Sequence, residues 1–306
     1  MSGQSWTRRD FLRRTGALSA LTMIGGGLGL SACSKVDLES EPNGGTLLDR
    51  LRERGSVRVG FANEGPYSYV NSDAEVTGEA VELAKAIFGR LGVPELEPIP
   101  SEFGSLIAGL KVGLFDVIGA GMFILPERCA EVLFTNPDYR ATAAFLVPKG
   151  NPLGIQTYED VAANPDIRLG TLIGAVEATY ATGAGVSEDA ITPYQDALSG
   201  LDAVNTERVD AFSLTTASLK YTLSTTPDTD LEVTQPFVPE VDGVPQETGG
   251  AFAFLLDQQN MVTAFNEELA KLKESGELLE IVGPFGFTEE EMTDLTAEDL
   301  CQAPAA

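Results

Sequence analysis

The sequence predicts an α/β fold with mainly parallel sheets. Short apolar runs alternate along the chain with segments of helical periodicity, which is the pattern of strand–helix units. Glycine- and proline-bearing turns separate these runs, as at Lys149-Gly150-Asn151-Pro152. The sequence shows no internal repeat and no low-complexity tract.

Taken in order, residues 57–61 read as a strand and 78–91 as a helix with Val81, Ala84, Phe88 and Leu91 on one face. A helix over 105–112 and strands over 116–120 and 145–148 follow. A second set of units then begins: helix 158–163, strand 167–171, helix 177–181, strand 190–194, helix 197–206 and strand 210–214. An apolar strand over 251–256 leads into a long helix over 258–275. Val262, Phe265, Leu269 and Leu272 form its apolar face and Gly276 stands at its end.

The N-terminus reads as an address rather than as fold. Thr7-Arg8-Arg9-Asp10-Phe11-Leu12-Arg13 is a twin-arginine export signature. The apolar stretch 17–30 is too short for a bilayer, which takes about 20 apolar residues, and Gly25, Gly26, Gly27 and Gly29 dilute it. It reads as the apolar region of a signal peptide. Leu30-Ser31-Ala32-Cys33 resembles a bacterial lipobox, so residues 1–32 are expected to be removed and Cys33 to carry a lipid. Residues 33–45, polar and carrying Pro42, Gly44 and Gly45, read as a flexible tether. The expected location is the extracytoplasmic face of the cell membrane, held there by the lipid alone.

Composition excludes several functions. With 43% hydrophobic residues the chain can build a packed core. The net charge of −26 becomes about −29 once the four signal arginines and Asp10 are gone, which rules out nucleic acid or an anionic membrane surface as a partner for a basic patch. Such acidity suits high salt, where screening weakens self-repulsion. There is no histidine, so a Ser-His-Asp triad is impossible. Three cysteines make a poor metal site, and no metal or cofactor is expected. With Cys33 lipidated, Cys129 and Cys301 remain as one disulfide or as two buried thiols. A bridge between them would close a long loop and contribute up to ~5 kcal/mol in the chain-entropy model.

From about Gly55 to Gly286 the order of the pieces resembles the type II periplasmic binding proteins, specifically the polar amino-acid group. The supporting motifs are Val57-Arg58-Val59-Gly60-Phe61, the helix start Gly78-Glu79-Ala80-Val81-Glu82-Leu83-Ala84, and Gly121-Met122-Phe123-Ile124-Leu125-Pro126-Glu127-Arg128. Ala62-Asn63-Glu64-Gly65-Pro66-Tyr67, Ser101-Glu102-Phe103-Gly104 and the run from Phe123 to Cys129 look more closely like the ectoine- and hydroxyectoine-binding proteins. The resemblance implies a two-lobe (Venus-flytrap) fold with two crossover hinge strands. Lobe 1 is expected from 46–142 plus 247–306 and lobe 2 from 143–246. It further implies that Glu64, Tyr67, Phe103, Phe123 and Arg128 line a ligand cleft with Val176 and Thr215 of the second lobe, and that Cys129 pairs with Cys301.

The chemistry of these residues suits a small zwitterion. Arg128 offers a two-pronged donor to a carboxylate. Glu64 can accept from ring N–H groups, and Tyr67, Phe103 and Phe123 can wall a flat cation at about 0.5–2 kcal/mol per face. Taken without the resemblance, the phenylalanines read equally well as core, and Glu64 and Arg128 as solvated charges. Amino-acid members of the family usually carry a second acid just after an aspartate like Asp210; here the stretch is Asp210-Ala211-Phe212-Ser213-Leu214-Thr215. An unpaired buried ammonium is costly, so this departure favours ectoine over an ordinary amino acid. The loop Gly174-Ala175-Val176-Glu177 lacks the threonine that the family often places near Val176, which leaves backbone N–H groups as its donors.

The resemblance thus implies the solute-binding subunit of an ABC importer, a monomer that closes on its ligand and docks on membrane permease subunits, with no catalysis. The rivals are a polar amino-acid-binding protein of the same family and a dehydratase-like enzyme on the same fold, with Glu64 as general acid.

Overall fold

The computed structural model describes residues 45–241 and 243–302. The expected signal peptide (1–32), the expected lipid site Cys33 and all but the last residue of the expected tether (33–45) lie outside the described residues.

In chain order the strands are β1 (Ser56–Phe61), β2 (Tyr69–Val70), β3 (Val76–Thr77), β4 (Glu95–Pro100), β5 (Val117–Phe123), β6 (Leu133–Phe134), β7 (Tyr139–Arg140) and β8 (Ala143–Pro148). They continue as β9 (Leu169–Leu172), β10 (Ile191–Tyr194), β11 (Ala211–Thr215), β12 (Leu231–Val233), β13 (Glu240–Val241), β14 (Val244–Pro245) and β15 (Gly249–Phe254). One sheet has the order β4-β1-β5-β15-β6, with β7 also on β15; the other has the order β10-β9-β11-β8-β12. β2–β3 and β13–β14 are small hairpins. The chain leaves the first sheet after β7 and rejoins it at β15, so it crosses between the sheets twice.

Each sheet has a parallel half and an antiparallel half, which corrects the expectation of mainly parallel pairing. β1 runs parallel to β4 and β5, whereas β15 runs antiparallel to β5 and β6. β9 is parallel to β10 and β11, whereas β8 is antiparallel to β11 and β12. The antiparallel strands β8 and β15 are the ones that follow the two crossovers, where the chain arrives from the other sheet rather than from a covering helix.

Both parallel halves begin on the same device. Asp116, just before β5, accepts the backbone N–H of Arg58 at 2.9 Å and its guanidinium at 2.8 Å. Asp210, just before β11, does the same for Arg168, at 2.8 Å in both contacts. Asp210 therefore anchors a strand and faces away from any ligand.

Apolar periodicity explains the layers. The helix Glu79–Arg90 buries Ala80, Val81, Leu83, Ala84, Ile87 and Phe88, and the helix Gln259–Ser275 buries Val262, Phe265, Leu269 and Leu272. They meet over the first sheet through Phe88 and Phe265, 5.8 Å apart, with Phe252 of β15 4.7 Å from Phe265. The opposite face is filled by Leu106, Leu110, Phe115 and Leu300. In the second sheet, Leu201, Val204 and Leu219 cover Phe212 and Leu214. β5 is buried along its whole length, as befits an interior strand.

Several elements lie outside the expected set. The helix Leu47–Arg54 starts on a Thr46–Asp49 capping box and ends at Gly55 with φ +78°. β4 reads Glu-Leu-Glu-Pro-Ile-Pro and is an edge strand, where Pro98 and Pro100 are tolerated. The helix Thr216–Ser224 and the C-terminal helix Ala297–Cys301 are short and of mixed polarity.

Candidate functional site

The carboxyl ends of the parallel strands in the two sheets face each other, and the site is built from the turns that leave them. β1 ends at Phe61, and its turn carries Glu64 and Tyr67. β5 ends on Phe123 and passes through Leu125 into the single turn Pro126–Cys129, with proline at the first position, where its missing N–H costs nothing. That turn carries Arg128. From the second sheet, β9 delivers the loop to Val176 and the helix Glu177–Gly183, and β11 ends on Thr215.

Between them lies a small cavity. Every residue expected at the cleft lines it: Glu64, Tyr67, Phe103, Phe123 and Arg128 from one side, Val176 and Thr215 from the other.

Arg128 is 9% exposed and held at both ends of its fork: Nη1 donates to the Phe123 carbonyl and Nη2 to the Gly174 carbonyl, each at 2.9 Å. Its guanidinium lies over the Phe103 ring, 5.5 Å from the centroid. Burial pulls its pKa down, and the charges of Glu177 and Glu127 pull it back. The turn is braced from behind: Cys129 is bonded to Cys301, with Cα atoms 5.8 Å apart, which settles the choice between a disulfide and two thiols.

Tyr67 stacks on Tyr139 at 5.3 Å and lies against Gly121, which has φ +61° and where a Cβ would come within 2.6 Å of the Tyr67 ring. Glycine is thus required in the floor of the cavity. The Tyr67 hydroxyl crosses the cleft to Thr215 Oγ1 at 2.9 Å, and Ser218 Oγ donates to Glu64 Oε1 at 2.5 Å. Gly104 and Gly174 meet backbone to backbone; a Cβ on Gly174, whose φ is +78°, would stand 2.6 Å from Gly104 Cα. The two sides are therefore closed on each other.

Two carboxylates share this space. Burial raises Glu64 to about 7, against the lowering effect of the Ser218 hydroxyl. Glu177 also rises to about 7 by burial, against a backbone N–H bond at the start of its helix, with the charge of Glu64 raising it further and Arg128 opposing. Glu177 is 3% exposed and its Oε2 has no hydrogen-bond partner. This residue was not among the expected ligand contacts. An acid at the first position of a helix is ordinarily a solvated partner for the helix dipole, and only the tertiary placement shows it to be buried.

A second pair of acids lies deeper in the first lobe. Glu79 and Asp138 are buried; neither Glu79 oxygen has a partner, and Asp138 Oδ1 lacks one too. Burial, then the Asp138 charge, pushes Glu79 well above the usual carboxylate range. Among the described residues no group of His, Cys, Asp and Glu is arranged to hold a metal, and no helix is long and apolar enough to cross a membrane.

Known proteins match this architecture. The crystal structure of EhuB in complex with hydroxyectoine superimposes with a TM-score of 0.77 at 39% identity, covering 84% of this chain and 98% of that one. The probable amino-acid ABC transporter periplasmic-binding protein y4tE of Sinorhizobium fredii is 32% identical over 278 residues, 89% of this chain and 91% of that protein. The arginine-binding extracellular protein ArtP of Bacillus subtilis is 28% identical over 71% of this chain and 80% of its own length. Residues 57–287 match the bacterial extracellular solute-binding proteins, family 3. The chain has their two-lobe type II fold and belongs to that family.

Proposed function

We propose that this chain is the binding subunit of an ABC importer for ectoine, hydroxyectoine or a closely similar small zwitterion. The observation that carries this reading is the convergence of the Arg128 guanidinium, the Glu64 carboxylate and three aromatic rings on a single small cavity between the lobes, with Glu177 as a second carboxylate at its edge. Arg128 would take the ligand carboxylate, exchanging its bond to the Gly174 carbonyl for it, while the Val176 backbone and Thr215 meet the ligand from the second side. Glu64 would exchange the Ser218 hydroxyl for ring N–H donors. Tyr67, Phe103 and Phe123 would enclose the ring. Lobe 1 (46–142 plus 247–306) would bind first and lobe 2 (143–246) would close on it, shifting the population to the form that permease subunits recognise. Cys33 would tether the protein to the membrane after twin-arginine export. The function needs no catalytic step, and Glu64 lacks the histidine helper that a dehydratase-like acid could use.

Glu177 favours a second reading, a cationic amino acid such as arginine, because two carboxylates then face one guanidinium and a ligand of net positive charge balances them. Calorimetry with ectoine, hydroxyectoine, glycine betaine, arginine and glutamine separates the two. Binding of an ectoine with silence toward arginine is the expected result; silence toward both ectoines defeats the ligand assignment.

A further inference from the structure

Beside the cavity, sharing Phe123, Glu177 and Thr215 with it, lies a small side chamber against the crossover residues Ala141, Thr142, Ala143 and Thr248. Glu177 lines both spaces. Tyr180, one turn further along the same helix, lines the chamber, and its hydroxyl is likewise buried without a partner. Two polar groups thus face one space with nothing in the protein to satisfy them, a costly arrangement unless a ligand or a proton does so.

Charge counting gives the consequence. A neutral zwitterion brings one carboxylate for Arg128 and one cationic group for Glu64. Glu177 is then left buried with no positive partner of its own, and a carboxylate in that position neutralises rather than staying charged. A backbone N–H bond at the start of its helix relieves it only in part, since burial still carries it to about 7, and the side chains facing it do not make up the rest. Glu64 adds negative charge, Arg128 is committed to the ligand, and Tyr180 and Tyr158 are phenols whose own ionisation Glu177 opposes. The elements packed on its helix add only Glu240, exposed at the far hairpin, and the exposed Glu159 and Asp160.

Resting on the zwitterion reading, we propose that Glu177 is a second, proton-carrying carboxylate of the cleft, so that a neutral zwitterion is bound together with one proton from solvent, whereas a cationic amino acid is bound without one. The proton adds to a Glu177 carboxylate oxygen, of which Oε2 has no partner in the protein. In the closed cleft burial raises Glu177 to about 7, and opening the cleft to solvent removes that burial and lowers it toward the usual carboxylate range. Binding of the zwitterion therefore weakens about tenfold per pH unit as pH rises from about 5 to 7 and then levels off.

The test is calorimetry on the full protein at pH 6 in phosphate and in bis-tris, whose ionisation enthalpies differ, with ectoine and with arginine, on wild type and Glu177→Gln. The expected result is uptake of close to one proton with ectoine in wild type, and a several-fold loss or more of that uptake in Glu177→Gln, whose ectoine affinity no longer falls between pH 5 and 7. Ectoine binding with equal enthalpy in both buffers, or uptake unchanged by Glu177→Gln, overturns the proposal and leaves the ligand assignment intact. Arginine binding without proton uptake, weakened tenfold or more by Glu177→Gln, while ectoine stays silent, keeps Glu177 as the charge selector and overturns the ligand assignment. Silence toward both ligands overturns both.

Discussion

The hydroxyl of Tyr67 donates to Thr215 Oγ1 at 2.9 Å, one residue in each lobe. The same ring forms a wall of the cavity, so Tyr67 joins ligand enclosure to lobe closure. Tyr67→Phe keeps the wall and removes one interlobe hydrogen bond, a loss of about 1 kcal/mol. Calorimetry is expected to show about fivefold weaker ligand binding, and unchanged affinity would mean that this contact does not help hold the closed form.

Arg128→Lys replaces a fork with a point charge. It gives up the bidentate carboxylate contact and leaves either the Phe123 or the Gly174 carbonyl without its donor. A loss of about 2–5 kcal/mol in ligand binding is expected, roughly thirtyfold or more, with the thermal midpoint changed far less. Binding within threefold of wild type would remove Arg128 from the ligand contacts.

Gly174→Ala places a methyl group against Gly104 only in the closed form, because the two glycines belong to opposite lobes. Closure is expected to cost about 1–3 kcal/mol more through that clash, apart from the backbone strain that alanine at φ +78° carries whether the lobes are open or closed. Small-angle scattering with saturating ligand should then show a larger radius of gyration than wild type. A closed scattering profile in the variant would show that this contact can relax.

Cys301→Ser opens a bridge that spans 172 residues in sequence. A loss of up to ~5 kcal/mol follows from chain entropy, read as a lower guanidinium midpoint, together with weaker ligand binding because Arg128 adjoins Cys129. An unchanged midpoint would show that the bridge contributes nothing to stability.

Glu79 makes stability depend on pH. Its folded pKa lies above the unfolded value of 4.5, so its contribution is fully present below about 4.5 and is lost as pH rises through the folded value. Glu79→Gln keeps the shape, can donate to Asp138, and removes that ionisation. Its thermal midpoint is expected to exceed that of wild type above neutral pH and to converge with it in acid. Parallel pH profiles of the two proteins would contradict this assignment.

Much of this architecture is legible in the residues, for identifiable reasons. The run from β5 to Cys129 is recognisable because an interior strand must be continuously apolar and Pro126 marks the turn that follows. The helix Gln259–Ser275 shows its face through Val262, Phe265, Leu269 and Leu272. β4 escapes because an edge strand may carry Pro98 and Pro100, which argue against a strand anywhere else. The helix Thr216–Ser224 escapes because threonine and serine at its start satisfy backbone groups as readily in a turn. Strand direction at β8 and β15 has no local signature, since it follows from the crossovers. Glu177 is the informative omission: an acid that begins a helix looks solvated until the opposite lobe covers it.

The two sides of the cavity are unequal. The first lobe supplies the guanidinium, Glu64 and all three rings, whereas the second supplies Glu177, Thr215 and small or aliphatic residues such as Leu172, Val176 and Leu214. That division separates arrival from escape. Changes in the second lobe, which closes after the ligand has met the first, should chiefly alter how long a trapped molecule stays. Residence time, rather than capture rate, is therefore the quantity most open to tuning through the second lobe, and the longest-lived complexes are the ones that give a slow membrane partner time to dock.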